Sequence, residues 1–329
     1  MKATEANFLR FLQGSKQFII PIYQRTYSWT QKECEQLWRD IVRAASDPAI
    51  PAHFVGSIVY IEGGIYQVSA VPELLVIDGQ QRLTTLTILL ATIARKLENA
   101  ITDIGITKEE IIGEYLLNTL KKGDLRYKLI LTQSDEITLK QLVEGKEFTQ
   151  NSFHRIVENY QYFNKQIDKN EIPLETLYAG IMKLVIVDVS LDITQDNPQL
   201  IFESMNSIGL ELTQADLIRN YVLMGLENGL QRQIYQDYWY PMEQRFGHNE
   251  YARQFDRFMR DYLTIKNKGM IPRIDEVYEE FKEFVLKKGH ANIQSVVKDV
   301  YRYSKHFVRL ALQQETDKEI RSGWQTSTP

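Results

Sequence analysis

The longest amphipathic pattern in the chain runs from about Gln80 to Ala100. Its apolar residues lie three or four positions apart, the spacing that places side chains on one face of a helix. These residues are Leu83, Leu86, Leu90, Ile93 and Leu97. We therefore predict one helix with a continuous buried stripe.

Two more helices are predicted near the N-terminus. A short one is expected around residues 6 to 13, and a longer one runs from about Gln31 to Ala45, where Thr30 and Glu33 form a capping box. Between them, the segment FIIPIYQRTYSW is predicted to be extended, with Pro21 limiting its pairing in a sheet.

Runs of β-branched and apolar residues predict the strands. HFVGSIVYIEGGIYQV predicts two strands joined as a hairpin by Gly63 and Gly64, and ELLVID predicts a third. KLVIVDVSL is apolar at nearly every position up to Val187, which favours a strand covered on both faces. Together these segments predict a small sheet.

The remaining segments are predicted to be mainly helical. A first domain, residues 1–228, carries a helical insertion at about 101–182, and a helical region occupies 229–329. Late in the first domain a helix begins after Thr213, with Asp216 completing a capping box. The predicted fold class is α/β (α+β), with a small mixed sheet.

Composition narrows the classes of function. The 329 residues, 43% hydrophobic and 25% charged, suffice for a packed core, and the net charge of −4 provides no overall basic field for nucleic acid. A local basic cleft is still compatible with that charge. The single Cys34 excludes an internal disulfide and a cysteine zinc cluster. No apolar run approaches the roughly 20 residues of a membrane helix, so we expect a cytoplasmic protein without a membrane partner.

The stretch VIDGQQRLTTL places five polar or glycine residues where a strand turns into a helix. They are Asp78, Gly79, Gln80, Gln81 and Arg82. The first N–H groups of a helix lack partners and carry partial positive charge, so such a turn can hold an anion. Arg82 would make bidentate bonds to phosphate, and Gly79 would let a ligand come close. Asp78 could cap the turn, hold Mg²⁺ facing a phosphate or orient an attacking water.

The same turn also has a purely structural interpretation. Asp-Gly is ordinary turn chemistry, and Gln-Gln-Arg can be a solvated first helical turn. The chain contains no G-x-x-x-x-G-K-[ST] loop, so a Walker A site is excluded.

The segment PIYQRTYSW could contribute to the same site. Its aromatic rings and Arg25 alternate, which suits stacking on a base and pairing with a phosphate. The alternative is an aromatic-rich strand whose alternate residues face the core, with Arg25 in a salt bridge. The candidates are Tyr23, Gln24, Arg25, Tyr27 and Trp29.

The segment FESMNSIGLELTQADLIRN offers a second set of polar groups. Asn206 precedes a glycine turn, and Asp216, Arg219 and Asn220 share one face of the following helix because they lie three and four residues apart. Alternatively, Asp216 only completes the cap and Arg219 pairs with it in solvent.

Taken together, four segments resemble the N-terminal domain of GmrSD-type, modification-dependent restriction proteins over about residues 8 to 228. They are IPIYQRTYSW…LWRDI, HFVGSIVYI, VIDGQQRLTTL and IFESMNSIGLELTQADLIRNYVL, in this order and spacing. The resemblance implies a ParB/sulfiredoxin-like fold and a role in DNA restriction, which defends against phage.

The resemblance also implies that the Asp-Gly-Gln-Gln-Arg motif binds and hydrolyses a nucleoside triphosphate (GTP, ATP, CTP or UTP) with Mg²⁺. The catalytic candidates are Asp78, Gln81 and Arg82, with Asp78 also the metal ligand. The nucleotide-binding candidates are Gly79, Gln80, Gln24, Arg25, Thr84, Asn206, Asp216 and Arg219. Tyr23, Tyr27 and Trp29 are the candidates for sensing modified DNA.

Full-length members of that group usually continue into an HNH-type nuclease domain. The sequence offers no such constellation, since His290 and Asn292 lie in a lysine-flanked helix break and His248 is isolated with Asn249. We therefore expect the nuclease to be a missing domain or a separate subunit.

Three hypotheses for function follow. The first is a nucleoside triphosphatase that regulates a restriction system, and the second is a module that binds modified DNA without hydrolysis. The third treats IYQDYWYPMEQRF as an assembly surface of a homo-oligomer, with an ordinary helical core as its alternative.

Overall fold

The computed structural model describes residues 1–63, 71–97, 106–149, 154–192, 194–206, 212–224, 226–289 and 292–312. They form two compact units. The sheet unit comprises Met1–Pro21 and Arg25–Phe202, and the helical unit comprises Ile22–Gln24 and the described residues from Glu203 onward. The division by packing thus falls earlier than the domain boundary predicted near residue 228.

A six-stranded mixed sheet forms the centre of the sheet unit. Its strands are β1 (Lys2–Asn7), β2 (Gln17–Ile19), β3 (His53–Gly63), β4 (Glu73–Asp78), β5 (Leu129–Ile130) and β6 (Leu184–Leu191). They lie in the order β1-β6-β3-β4-β2-β5, with β1/β6 and β3/β4 antiparallel and the other neighbours parallel. The predicted α+β class is confirmed.

The predicted strands agree with the sheet in part. β3, β4 and β6 are confirmed, whereas the hairpin strand expected after Gly64 lies outside the described residues. The segment FIIPIYQRTYSW was predicted to be extended, but β2 ends at Ile19 and turns follow Pro21. β6 was predicted to be covered on both faces, yet fully buried and half-buried residues nearly alternate along it, as in a strand with one core face.

Seven helices surround this sheet among the described residues. They are α1 (Phe8–Leu12), α2 (Gln31–Ser46), α3 (Gln80–Leu97), α4 (Lys108–Ile111), α5 (Gln133–Val143), α6 (His154–Asp168) and α7 (Leu174–Met182). The capping box of Thr30 and Glu33 at the start of α2 is confirmed. The helical insertion contains α4 to α7 and also β5, so it contributes a strand to the sheet.

α3 is buried on nearly every side, not along one stripe as predicted. Its threonines are accommodated because their hydroxyls donate to backbone carbonyls one turn earlier. Thr85 donates to Gln81, Thr87 to Leu83 and Thr92 to Ile88, each at 2.8 Å. α3 is therefore the central helix of the sheet unit, and its N-terminus is held in place by the whole core.

The helical unit contains the second half of α8 (Pro198–Asn206) and six further helices. They are α9 (Gln214–Leu223), α10 (Asn228–Ile234), α11 (Tyr240–Phe246), α12 (His248–Lys266), α13 (Val277–Lys288) and α14 (Ile293–Ala311). Aromatic rings fill its core, for example Trp239 against Phe255 and Phe246 against Phe258, with ring centres 5.6 and 5.8 Å apart.

The segment IYQDYWYPMEQRF belongs to this core. Tyr235, Trp239, Met242 and Phe246 are all buried in the helical unit. The alternative of an ordinary helical core is therefore supported, and the expected assembly surface is corrected for these residues. None of the described helices combines the length and the apolar character needed to cross a membrane.

Candidate functional site

The junction of β4 and α3 is built around Gly79. Its φ of +91° lies in the left-handed region, which favours glycine. A Cβ atom at this position would lie 2.6 Å from the backbone oxygen of Ser57 in β3. Gly79 therefore permits the turn and the close approach of a neighbouring strand, which is a structural reason for glycine where ligand access was predicted.

Arg82 lies one helical turn after Asp78. Its Nη2 donates to the Asp78 Oδ2 at 3.4 Å, and each side chain is 28% exposed. Asp78 is the only acceptor found for the Arg82 guanidinium within the described part of the chain. Because a guanidinium carries five N–H donors, Arg82 retains donors for a solvent-side anion.

Gly56 makes room for Arg82. It lies in β3 where the register with β6 shifts between Phe54 and Ser57, and its φ is +111°. A Cβ atom on Gly56 would lie 2.0 Å from Nη1 of Arg82. Because Gly56 has no side chain, the Arg82 guanidinium can occupy that space.

Sequence reasoning missed Gly56, although a signal was present. A glycine inside a run of β-branched residues, as in HFVGSIV, is typical of a bulge or of close approach by another group.

Gln81 is a clamp on the loop that precedes α2. Its side chain is buried; Oε1 accepts from the backbone N–H of Ser28 at 2.8 Å and of Trp29 at 3.2 Å. Its Nε2 donates to the carbonyl of Thr26 at 3.4 Å. These contacts are those of a positioning residue, because they commit the amide to backbone groups of its own chain.

Tyr27 is also part of this clamp. It is 3% exposed, its hydroxyl lies 2.7 Å from Thr85 Oγ1, and it accepts from Asn159 Nδ2 at 2.8 Å. Burial raises the pKa of Tyr27 well above its ordinary value. The ring is enclosed in the core and offers no free face to a base, and the role of Tyr27 in sensing DNA stays a prediction.

A buried carboxylate lies behind the same loop. Asp135 Oδ2 accepts from the backbone N–H of Tyr27 at 2.6 Å, and Asp135 Oδ1 has no partner among the described residues. Burial raises the pKa of Asp135 to about 7. No motif or spacing in the sequence points to Asp135 or Asn159.

The other candidates in the sheet unit differ in accessibility. Arg25 and Trp29 are half-buried, and no described carboxylate forms an ion pair with Arg25. Gln80 is buried at the start of α3. Thr84 is 2% exposed, and its contact with a nucleotide stays a prediction.

Arg219 lies in the helical unit and is sealed there. Its Nε donates to the carbonyl of Tyr23 at 3.0 Å, Nη1 to Glu243 at 2.7 Å and Nη2 to Asp216 at 3.1 Å. Arg219 is 4% exposed, and burial raises the pKa of Glu243. Asp216 and Arg219 therefore form an internal ion cluster with Glu243, and their role in nucleotide binding stays a prediction.

Backbone N–H groups at the N-terminus of α9 likewise have hydrogen-bond partners within the helical unit. The carboxylate of Asp256 accepts from the backbone N–H of Ala215 at 2.7 Å and of Gln214 at 3.3 Å. Asp216 completes the predicted capping box with Thr213. Of the remaining candidates in this unit, Tyr23 and Gln24 are buried, and the side chain of Asn206 lies outside the described residues. The role of Tyr23 in DNA sensing stays a prediction.

The site in the sheet unit thus brings together Asp78, Gly79 and Arg82 over Gly56. A comparison with known families decides its lineage: the model of the GmrSD restriction endonuclease N-terminal domain matches residues 8–223. The chain belongs to the GmrSD N-terminal domain family. The match covers the whole β4–α3 junction and ends at the last residue of α9.

One curated relative of this GmrSD-family chain is an uncharacterized protein, MJ0686, of Methanocaldococcus jannaschii. The two are 23% identical over 230 residues, which is 60% of this chain and 38% of the relative. The chain therefore spans well under half the length of that relative.

A resident metal ion at the β4–α3 junction would need several ligating side chains close together. No group of three or more histidine, cysteine, aspartate or glutamate side chains suited to a metal ion occurs in the described part of the chain. Mg²⁺ is often held by one or two carboxylates together with substrate phosphates. Asp78 therefore fits an ion that arrives with a polyphosphate.

Proposed function

We propose that the β4–α3 junction binds the phosphates of a nucleoside triphosphate and regulates a DNA restriction system. The observation that carries this proposal is the Arg82 side chain at the N-terminal turn of α3, which is 28% exposed and has Asp78 as its one carboxylate partner among the described residues. Helix N-termini favour anions, and an arginine with spare donors adds charge-assisted bonds.

The chain's own residues would divide the work at this site. Arg82 meets the phosphate charge, with Arg25 as a second candidate cation, and Asp78 orients a water or holds Mg²⁺. Bound Mg²⁺ would neutralise phosphate charge. Gln81 hydrogen-bonds the backbone of residues 26–29, and Gly56 leaves space for the Arg82 guanidinium. Both therefore act as positioning residues.

Membership in a restriction endonuclease family supports a role in DNA restriction. We propose that an HNH-type nuclease domain or subunit is the partner that the nucleotide site regulates, in the cytoplasm. Sensing of modified DNA and homo-oligomerisation belong to the same proposal. A ParB-like ancestry of the sheet remains a prediction from the sequence.

Nucleotide binding is the first test. GTP, ATP, CTP and UTP are titrated with Mg²⁺ into the wild-type chain and into Arg82→Ala. Loss of a charge-assisted bond worth about 1.5 to 3 kcal/mol should weaken binding by about 10- to 100-fold. Arg39→Ala is the matched control, because Arg39 is an exposed helix arginine paired with Glu35.

Phosphate release tests hydrolysis separately. We expect the wild-type chain to release phosphate and Arg82→Ala to lose that activity. Equal release by both proteins removes the catalytic claim, and equal nucleotide affinity removes the binding site.

A further inference from the structure

α14 carries a row of cations on one face. Lys298, Arg302, Lys305 and Arg309 follow one another at intervals of four, three and four residues. With about 3.6 residues per turn, they stay within about 60° of one another around the helix. We call this row the basic stripe.

The basic stripe points away from the core of the helical unit. The opposite face of α14 carries its buried residues, which include Val296, Val297, Val300 and Val308. Lys298, Arg302 and Arg309 are exposed, and Lys305 is half-buried. The stripe is thus a surface of folded protein and not part of the packing.

The cations of the basic stripe lie next to one another along α14. Within the described residues, Arg302 pairs with Asp299, whereas Lys298, Lys305 and Arg309 form no ion pair with a carboxylate. Several other exposed helix cations do pair with a carboxylate one turn away, as in the pairs Arg39–Glu35, Arg253–Glu250 and Lys287–Glu283. Like charges one turn apart destabilise a helix, so a polyanion would relieve the repulsion along α14.

A tyrosine from α14 holds two of the neighbouring cations at the surface. The Tyr301 ring lies 4.1 Å from Lys305 Nζ and 5.8 Å from the guanidinium carbon of Arg245 in α11. Such cation–π contacts hold both charged groups beside the half-buried ring of Tyr301. Arg245 therefore widens the stripe.

We propose that the basic stripe of α14 contacts the phosphate backbone of double-stranded DNA. From Lys298 to Arg309 the helix rises about 16 Å, and a duplex presents a phosphate charge for every ~1.7 Å of its axis, so each cation can meet a phosphate. The apolar face of α14 is already buried, which disfavours insertion into a lipid surface. The restriction endonuclease family supplies DNA as the polyanion.

This stripe lies outside the segment matched by the family, residues 8–223, and the inference does not rest on the nucleotide site. The stripe supplies affinity without sequence preference, because phosphate contacts carry no base information.

Salt-dependent binding to a short DNA duplex tests the proposal. The triple variant Lys298→Gln, Lys305→Gln, Arg309→Gln is compared with wild type by fluorescence anisotropy over a series of salt concentrations. Each lost phosphate contact should reduce the slope of log affinity against log salt by about 0.9, so the triple variant should lose about 2 to 3 units of slope.

The control variant is Arg39→Gln, Arg253→Gln, Lys287→Gln, which changes the net charge equally. It should retain the wild-type slope within about one contact. If the α14 triple variant folds poorly by circular dichroism, the single variant Lys305→Gln should lose about one contact's slope instead.

Three results would overturn the proposal: equal slopes in the α14 and control variants, wild-type affinity for the duplex that ignores salt, or wild-type binding to phosphatidylserine vesicles but not to the duplex. Each is distinct from failure of the nucleotide titration.

Discussion

Arg82 in the sheet unit and Arg219 in the helical unit each follow an aspartate by about one turn of helix. Arg82 has one carboxylate acceptor at 3.4 Å and is 28% exposed, whereas Arg219 has three acceptors between 2.7 and 3.1 Å and is 4% exposed. The local sequence is alike, yet the first arginine has donors to offer and the second is fully used inside the fold. Burial and the number of acceptors, not the Asp/Arg spacing, determine how many donors of each arginine stay available to solvent.

The largest expected effect is that of Arg219→Ala. Removing this guanidinium leaves Glu243 and Asp216 buried near each other without their counter-ion, which should lower the free energy of unfolding by about 3 to 5 kcal/mol. Denaturant unfolding measures it, with Arg82→Ala as the matched arginine. Arg82→Ala should change stability by less than about 1 kcal/mol because its ion pair is partly exposed. Equal destabilisation by the two variants would contradict the comparison.

The second prediction contrasts carboxylates with and without a cation. Asp135 is buried and has no paired cation among the described residues, and its pKa is raised from 3.8 to about 7. A raised carboxylate pKa means that the folded state binds the proton more tightly, so the stability that Asp135 contributes is fully present below about pH 4 and is lost as pH rises through 7. Asp135→Asn should remove about 2 to 3 kcal/mol of stability change between pH 5 and pH 7.

Asn at position 135 can still accept from the N–H of Tyr27. Urea unfolding at several pH values provides the measurement, with the exposed Asp168→Asn as the control. The prediction is wrong if Asp135→Asn retains the wild-type pH dependence.

Gly79→Ala should have the third-largest effect, a loss of stability. The added Cβ combines an unfavourable positive φ with a contact of 2.6 Å to the backbone of β3. We expect a loss of about 1 to 3 kcal/mol in thermal or urea unfolding. Gly14→Ala is the control, because Gly14 also has a positive φ, of +80°, but has no atom within 4 Å of the added Cβ. Equal losses would show that backbone strain alone explains Gly79.

Gly56→Ala tests the smallest effect, the one on the position of Arg82. The φ of +111° strains any residue with a Cβ at this position, and the added Cβ also meets the flexible end of Arg82, so the guanidinium must move. Nucleotide affinity should fall about tenfold, roughly 1.4 kcal/mol. In an Arg82→Ala background the same change should have no effect on affinity, since Gly56 acts through Arg82. Additive losses in the double variant would refute that role.

Local chemistry made much of this structure predictable. The capping boxes at Thr30 and Thr213 are confirmed. They could be predicted because each joins residues only three positions apart. The β4–α3 junction was predicted from one unbroken stretch of sequence, in which a buried strand meets a glycine and then a long apolar helix.

The contacts that were missed join distant parts of the chain. Arg219 is sealed by Tyr23, 196 positions earlier, and by Glu243, 24 positions later, while Tyr27 depends on Asp135, 108 positions away. Sequence spacing carries no signal for such pairs, so Asp216, Arg219 and Tyr27 were assigned to a ligand site.

The antiparallel pairing of β1 with β6 has a consequence for synthesis of the chain. Lys2 pairs with Ser190, so the N-terminal strand has no partner until the ribosome has passed Leu191. At about 5 to 20 residues per second, that wait lasts roughly 10 to 40 seconds. During this interval the nascent sheet has an open edge, and an open edge is a template for pairing with another chain.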